Sequence, residues 1–284
     1  MSSCLHLHLG VHKTATTHFQ QALIDVSDRA PVEYTVVSNQ RFRAKVTHAN
    51  RFLDSRNSSE LHNYLRDLLS VESKVLVLSE ENLIGEAKDF VNACMLYEKA
   101  EMRLVAFSSL LPKDINIKVW LFIRSLDSFL PAIYCEYLRH WPYVPFERVL
   151  GGVYKHSWVP LIQTIRSIMP GAEINVLNYD SYQTLAPKML SAMTGIRLHS
   201  LSMDTRVIRP RLTDSAVQLS KCLPGRLPSS WRIRMLEWTS SISRRSGASS
   251  GFASLSQVVA EELRSVFQED LEEIRSIREV SLFE

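Results

Sequence analysis

Leu5-His6-Leu7-His8-Leu9-Gly10-Val11-His12-Lys13-Thr14-Ala15-Thr16-Thr17-His18-Phe19-Gln20 decides the fold of this chain. Leucines at 5, 7 and 9 alternate with other residues, the period of two that marks a strand. The chain turns at Gly10, presents a lysine and a run of hydroxyls, and enters a helix whose apolar face includes Phe19, Leu23 and Val26. A strand, a turn and a helix in that order leave backbone N–H groups at the helix start without partners inside the helix. With Lys13 beside them they form an anion site, and a phosphate is the anion that suits it. The plain alternative is an ordinary strand–helix junction with a surface lysine.

The length of 284 residues suits one large α/β domain with a substantial core or two small ones, and no linker separates halves. A hydrophobic share of 45% and a charged share of 22% are those of a soluble globular protein. The net charge of +3, without a Lys/Arg block, argues against a nucleic-acid partner. Cys4, Cys94, Cys135 and Cys222 are scattered and read as reduced thiols rather than a disulfide frame or zinc site. No apolar run reaches membrane-spanning length, and the start lacks a leader pattern, so a cytoplasmic protein is expected.

Beyond the first helix, Tyr34–Val37 reads as a short strand and residues 38–57 as polar and irregular. A helix over Leu61–Leu69 precedes Lys74–Ser79, a continuous apolar run of the kind buried on both faces of a parallel sheet. Residues 87–111 read as helical in two pieces, and Ile117–Ile123 as a buried strand. The next helix carries Leu126, Phe129, Leu130, Ile133, Tyr134, Tyr137 and Leu138, with Ser128 as its cap and Pro131 in its first turn. A helix near 156–168, a strand over Glu173–Tyr179, and helices over 181–193 and 213–222 follow. Residues 224–252 are rich in Ser, Gly and Arg and read as a lid or a mobile loop. The last helix, within 254–280, opens with Ser254 and Gln257 at capping-box spacing. The alternation predicts one three-layer α/β domain over 1–284, with a mostly parallel central sheet of about four to five strands flanked by helices.

In such sheets ligands gather at the carboxyl ends of the strands. Three buried strands here end in Gly10-…-Lys13, in Ser79-Glu80-Glu81 and in Arg124. A phosphate loop, a carboxylate pair and an arginine would thus share one edge. The nucleoside-triphosphate loop G-x-x-x-x-G-K-[ST] fits poorly, because His12 rather than Gly precedes Lys13.

His12-Lys13-Thr14-Ala15-Thr16-Thr17, followed by Gln20, resembles the phosphate loop of the P-loop-like sulfotransferases, bacterial in type. Those enzymes take a sulfuryl group from 3′-phosphoadenosine 5′-phosphosulfate (PAPS) and leave 3′-phosphoadenosine 5′-phosphate (PAP). Arg124 at a strand end is similar to the family's 3′-phosphate motif, whose serine eight positions on is Ala132 here; Ser128, one turn earlier, would replace it. Ser79-Glu80-Glu81-Asn82-Leu83 resembles the S-x-E-x-L segment, which implies Glu81 as the base with Glu80 second, its pKa raised beside anions; helix capping is the rival role. Arg209-Pro210-Arg211-Leu212 looks like the segment that closes over the cofactor. The resemblance implies transfer to a hydroxyl or amine of a small molecule, glycan or lipid head group, without a metal. Lys13 would neutralise the bridging oxygen, and Thr14, Thr16 and Thr17 would add donors. His140, Trp141, Tyr143 and Phe146 would line an acceptor pocket, with a place in the core as the alternative for Trp141 and Phe146, and His48 and His12 are weaker candidates. Two rivals remain: a magnesium-dependent P-loop kinase, with Val75–Leu78 leading to metal-binding acids, and a non-catalytic PAPS- or PAP-binding protein. The acceptor and the oligomeric state are not readable from the residues.

Overall fold

Strand β1 (Cys4–Gly10) lies inside the sheet because both of its faces are covered, and every residue from Leu5 to Gly10 is buried. Leu5, Leu7 and Leu9 point into the larger core. His6 and His8 point the other way, His6 stacked on Trp120 and His8 wedged against Phe19 and Phe122. In this computed structural model the described residues are 4–29, 34–45, 59–70, 75–151, 156–196, 210–247, 251–253 and 255–284.

In chain order the elements are β1, α1 (Thr16–Arg29), β2 (Tyr34–Val37), α2 (Asn39–Lys45), α3 (Ser59–Leu69), β3 (Val75–Ser79), α4 (Ala100–Ser108), β4 (Asn116–Ile123), α5 (Leu126–His140), α6 (Glu147–Leu150), α7 (Val159–Ile168), β5 (Glu173–Asn178), α8 (Tyr182–Thr194), α9 (Asp214–Cys222), α10 (Ser229–Arg245), α11 (Gln257–Ser276) and β6 (Val280–Phe283). Short 3₁₀ turns occupy Glu81–Leu83, Ala87–Phe90 and Tyr179–Ser181. The strands form one sheet in the order β2–β3–β1–β4–β5–β6, each neighbouring pair parallel. The expected four to five strands thus become six. Val280–Phe283 is too short to display a period, and its pairing with β5 is what makes it a strand.

Apolar residues of α1 and α8, among them Phe19, Leu23, Leu185 and Met189, cover one face. Those of α3, α4, α5, α7 and α11 build the larger core on the other. The chain leaves β1 toward β2 and leaves β4 toward β5, in opposite directions. Because β1 and β4 are neighbours, a crevice opens above their carboxyl ends, the position where open α/β sheets bind ligands. A register shift between His8 and Gly10 along β4 bends β1 just before its loop.

Four local expectations are corrected. Part of the stretch expected to be irregular, Asn39–Lys45, is helix α2. Helix α5 begins at Leu126 with Ser125 at the cap position, so Pro131 lies inside the helix rather than in its first turn. The stretch 224–252 contains the 17-residue helix α10. Helix α11 is capped by Ser256, whose hydroxyl accepts the Val259 N–H at 3.3 Å; Ser254 and His48 lie outside the described residues. No helix among the described residues is long and apolar enough to cross a membrane.

The histidine face of β1 gives stability a pH dependence. Burial pushes the His6 and His8 rings down to about 4 from 6.5, and His6 Nδ1 and His8 Nε2 are sealed without hydrogen-bond partners. The unfolded chain takes up both protons near pH 6.5 and the folded chain only near 4, so their contribution is full above 6.5 and is lost as pH falls toward 4. The expected outcome is a lower urea midpoint at pH 5 than at pH 7, with imidazole NMR signals of His6 and His8 still those of neutral rings at pH 5. Titration of either ring near its ordinary value would contradict it.

Candidate functional site

The loop after β1 is folded by its own side chains. Gly10 has φ +83°, and a Cβ there would stand 3.0 Å from the Cβ of Glu81 and 3.6 Å from Thr16 Oγ1. Glycine is therefore needed twice, for the left-handed backbone and for the close approach of the Glu81 segment. The Val11 N–H donates to the Phe122 carbonyl at 2.9 Å, and the Val11 carbonyl accepts Thr14 Oγ1 at 2.6 Å and Thr16 Oγ1 at 3.0 Å. Lys13 and Ala15 take positive φ, 64° and 58°. Left-handed residues in a loop turn successive N–H groups toward one side, the geometry of an anion-binding concavity. Helix α1 then starts at Thr16, adding the N–H groups of its first turn. Of the three expected hydroxyl donors, Thr14 and Thr16 close the loop on itself, and Thr17 is the exposed one.

His12, an expected cofactor contact, braces the loop. Its N–H donates to Tyr97 Oη at 3.0 Å, Tyr97 returns its hydroxyl proton to Nδ1 at 2.9 Å, and Nε2 donates to Asn82 Oδ1 at 2.9 Å. Burial holds the ring below its usual pKa, which suits this neutral tautomer. Gln20 performs a similar task from α1, donating to Ser79 Oγ at 2.9 Å.

Lys13 and Arg124 meet. Arg124 Nη1 donates to the Lys13 carbonyl at 2.9 Å and Nε to Ser128 Oγ at 2.7 Å, with the guanidinium 4.7 Å from the centre of the Tyr179 ring. Ser128 thus serves Arg124 where Ala132 has no hydroxyl to offer. Asp127, three positions beyond Arg124, accepts Arg264 Nε at 2.8 Å. Arg211 joins the group, donating from Nη2 to the Ser128 carbonyl at 3.1 Å and from Nη1 to the Phe252 carbonyl at 3.1 Å. Burial, with the Arg211 charge adding to it, lowers the pKa of Arg124. Two gathered guanidiniums form a patch that favours an anion. Arg209 lies outside the described residues. Lys13 Nζ reaches Glu136 Oε2 of α5 at 3.3 Å, and the same carboxylate receives Arg139 at 3.0 Å and faces His140 Nε2 at 3.4 Å.

The two acids after β3 have different fates. Glu80 is 2% exposed and accepts a fork from Arg43, with Nε at 2.7 Å from Oε2 and Nη2 on Oε1, plus the Asn82 N–H at 2.9 Å. Burial pushes its carboxyl up to about 7, against the pull of Arg43. Glu81 accepts Asn39 Nδ2 at 3.2 and 3.3 Å and Arg43 Nη2 at 3.3 Å. Burial would raise Glu81 too, but Arg43 leads a set of opposing contacts that hold it below the usual range. The raised carboxyl is thus that of Glu80, while Arg43 holds Glu81 down. Asn39, Arg43, Tyr97 and Glu136 complete the site without having been singled out in the sequence. Glu136 did leave a signal, being the only acid of α5 beyond its first turn. Phe146 is core, packed against Tyr134 and Phe252, while Trp141 stacks on Tyr137.

No protein-family model and no curated protein matches this chain. Among solved structures, "Crystal structure of APE1195" is similar at 12% identity and TM-score 0.33, over 69% of this chain and 98% of that one. A second, from a study of the PezAT chromosomal toxin-antitoxin system of Streptococcus pneumoniae, aligns at 9% identity and TM-score 0.29, over 97% and 88%. Neither likeness bears on function.

Gly10 and Gly171 share φ +83°, but a Cβ at Gly171 would meet nothing within 4 Å. Gly171→Ala is expected to cost about 1–2 kcal/mol from backbone strain alone. Gly10→Ala is expected to cost about 2–4 kcal/mol, because the clash with Glu81 adds to the strain. Equilibrium urea unfolding of the two variants measures the difference, and equal losses would remove the Gly10–Glu81 contact from the account.

Proposed function

We propose that this chain is a PAPS-dependent sulfotransferase acting on a hydroxyl or amine of a small molecule, glycan or lipid head group. The observation that carries the reading is the junction of two cationic centres above neighbouring strands: the Lys13 loop and the Arg124–Ser128–Arg211 cluster, joined through the Lys13 carbonyl. One anion at each centre matches a nucleotide with phosphates on both its 5′ and 3′ positions. The donor set fits that ligand, since the loop supplies left-handed N–H groups and a helix start, while the cluster supplies guanidiniums.

When bound, PAPS supplies an activated sulfuryl group on a phosphate leaving group. Lys13 Nζ, paired with Glu136 at 3.3 Å, would offer its charge to the leaving group, and Arg124 fixes the loop that carries it. Glu81 is the carboxylate that accepts the acceptor's proton. It is ionised near neutrality, keeps 15% of its side chain exposed, and packs directly against Gly10. Glu80 is sealed, and its oxygens are engaged by Arg43 and the Asn82 N–H. That fork also argues against the kinase alternative, which needs these acids for magnesium.

Two measurements test the reading. PAP without magnesium is expected to raise the melting temperature, by the equivalent of about 2.7 kcal/mol at a hundredfold excess over its Kd. Arg124→Ala is expected to erase the preference for PAP over adenosine 5′-monophosphate, and Lys13→Ala to weaken both. Glu81→Gln is expected to leave PAP binding intact and lower kcat by about 10²–10⁴. Stabilisation by ATP only with magnesium would favour the kinase. Binding of PAP with full turnover in Glu81→Gln would move the base elsewhere.

A further inference from the structure

Helix α10 wears its amphipathicity inside out. Trp231, Met235, Trp238 and Ile242 recur at steps of four, three and four residues, so they share one face, and they are 59, 37, 68 and 46% exposed. They are four of the seven large hydrophobics exposed among the described residues. The face turned into the protein is the more polar one, made of Arg232, Leu236, Ser240 and Ser243. Three contacts tie it down: Arg232 Nη2 donates to the Pro224 carbonyl at 2.8 Å, while its Nε and Nη1 are sealed without a hydrogen-bond partner, Ser240 Oγ accepts the Thr213 N–H at 3.2 Å, and Ser243 meets Ser215 at 3.3 Å. The helix is thus fixed with its apolar side outward, the reverse of an ordinary surface helix.

The charges around the stripe point to what covers it. Arg234 lies over the Trp231 ring at 5.6 Å, and Arg245 is exposed beside the far end of the stripe. Glu237 is the one acid between 224 and 252, and its carboxylate is turned to Arg139 of α5 at 3.4 Å. A second copy docked through the same face would set arginines against arginines with no acid to answer them. A lipid surface bearing negative head groups answers both features, receiving the tryptophans at its interface and pairing with the arginines. We propose that α10 docks this protein onto an anionic membrane surface, lying in the interface plane through Trp231, Met235, Trp238 and Ile242. The inference is independent of what the Lys13 loop binds.

Co-sedimentation of the full chain with vesicles tests it, using phosphatidylcholine alone and phosphatidylcholine mixed with phosphatidylglycerol at low and high salt. Binding to the anionic vesicles is expected, weakened by salt and accompanied by a blue shift of tryptophan emission. The double variant Trp231→Ser/Trp238→Ser is expected to lose about tenfold or more in apparent affinity. Arg234→Glu/Arg245→Glu is expected to erase the preference for anionic over neutral vesicles. These side chains are exposed, and unchanged thermal unfolding confirms that each variant folds. Wild-type protein left in the supernatant, or wild-type binding by the tryptophan variant, overturns the proposal. A lipid-free dimer that the tryptophan variant dissolves overturns it as well and assigns the stripe to a second copy.

Discussion

One hydrogen bond joins the two cationic centres of the site: the Arg124 guanidinium on the Lys13 carbonyl. It joins the ends of two adjacent strands whose chains depart in opposite directions, and so spans the crevice that this departure opens. The indole of Trp158 fixes the backbone of Arg124 from below, donating to its carbonyl at 2.9 Å. The main chain of Trp158 is in turn held by Asp270 of α11 at 2.7 Å. A run of contacts therefore leads from the last long helix to the first loop, and the loop's geometry depends on packing far along the chain.

Around that link the loop is braced rather than free. Tyr97 and Asn82 immobilise His12, Ser79 holds Gln20, and Val11 gathers two threonine hydroxyls. Two residues with positive φ that are not glycine need such support, since each left-handed conformation works against the fold unless its neighbours impose it. The same economy governs the acids. An unpaired buried carboxylate at the sheet edge would be costly, and the Arg43 fork makes Glu80 tolerable there.

The sequence disclosed what depends on local order. The strand–turn–helix of residues 5–20, the three strand ends and the parallel α/β class follow from period, run length and one glycine. It also indicated that Lys13, Glu81 and Arg124 share an edge, because topology brings strand ends together whatever lies between them. What it hid depends on contacts across long separations. Arg43 reaches Glu80 across 37 positions and Lys13 reaches Glu136 across 123. The division of labour between Glu80 and Glu81 was equally invisible, since adjacent residues differ there only in which way each side chain points. The bracing of His12 was hidden for a related reason: its partner Tyr97 lies in the turns between Phe90 and Ala100, which leave no helical or strand period.

The contact between Lys13 and Glu136 has a consequence for discrimination. The loop's ammonium already faces a carboxylate on α5, which Arg139 helps to orient. An anionic ligand of the proposed kind would therefore have to displace a resident counter-ion instead of meeting a bare cation. A singly charged anion would exchange one carboxylate-like neighbour for another and gain little, whereas a group with two charges, able to engage the backbone amides as well, gains the surplus. Selectivity for highly charged ligands would then arise from the strength of what must be displaced, with no extra contact to the ligand itself.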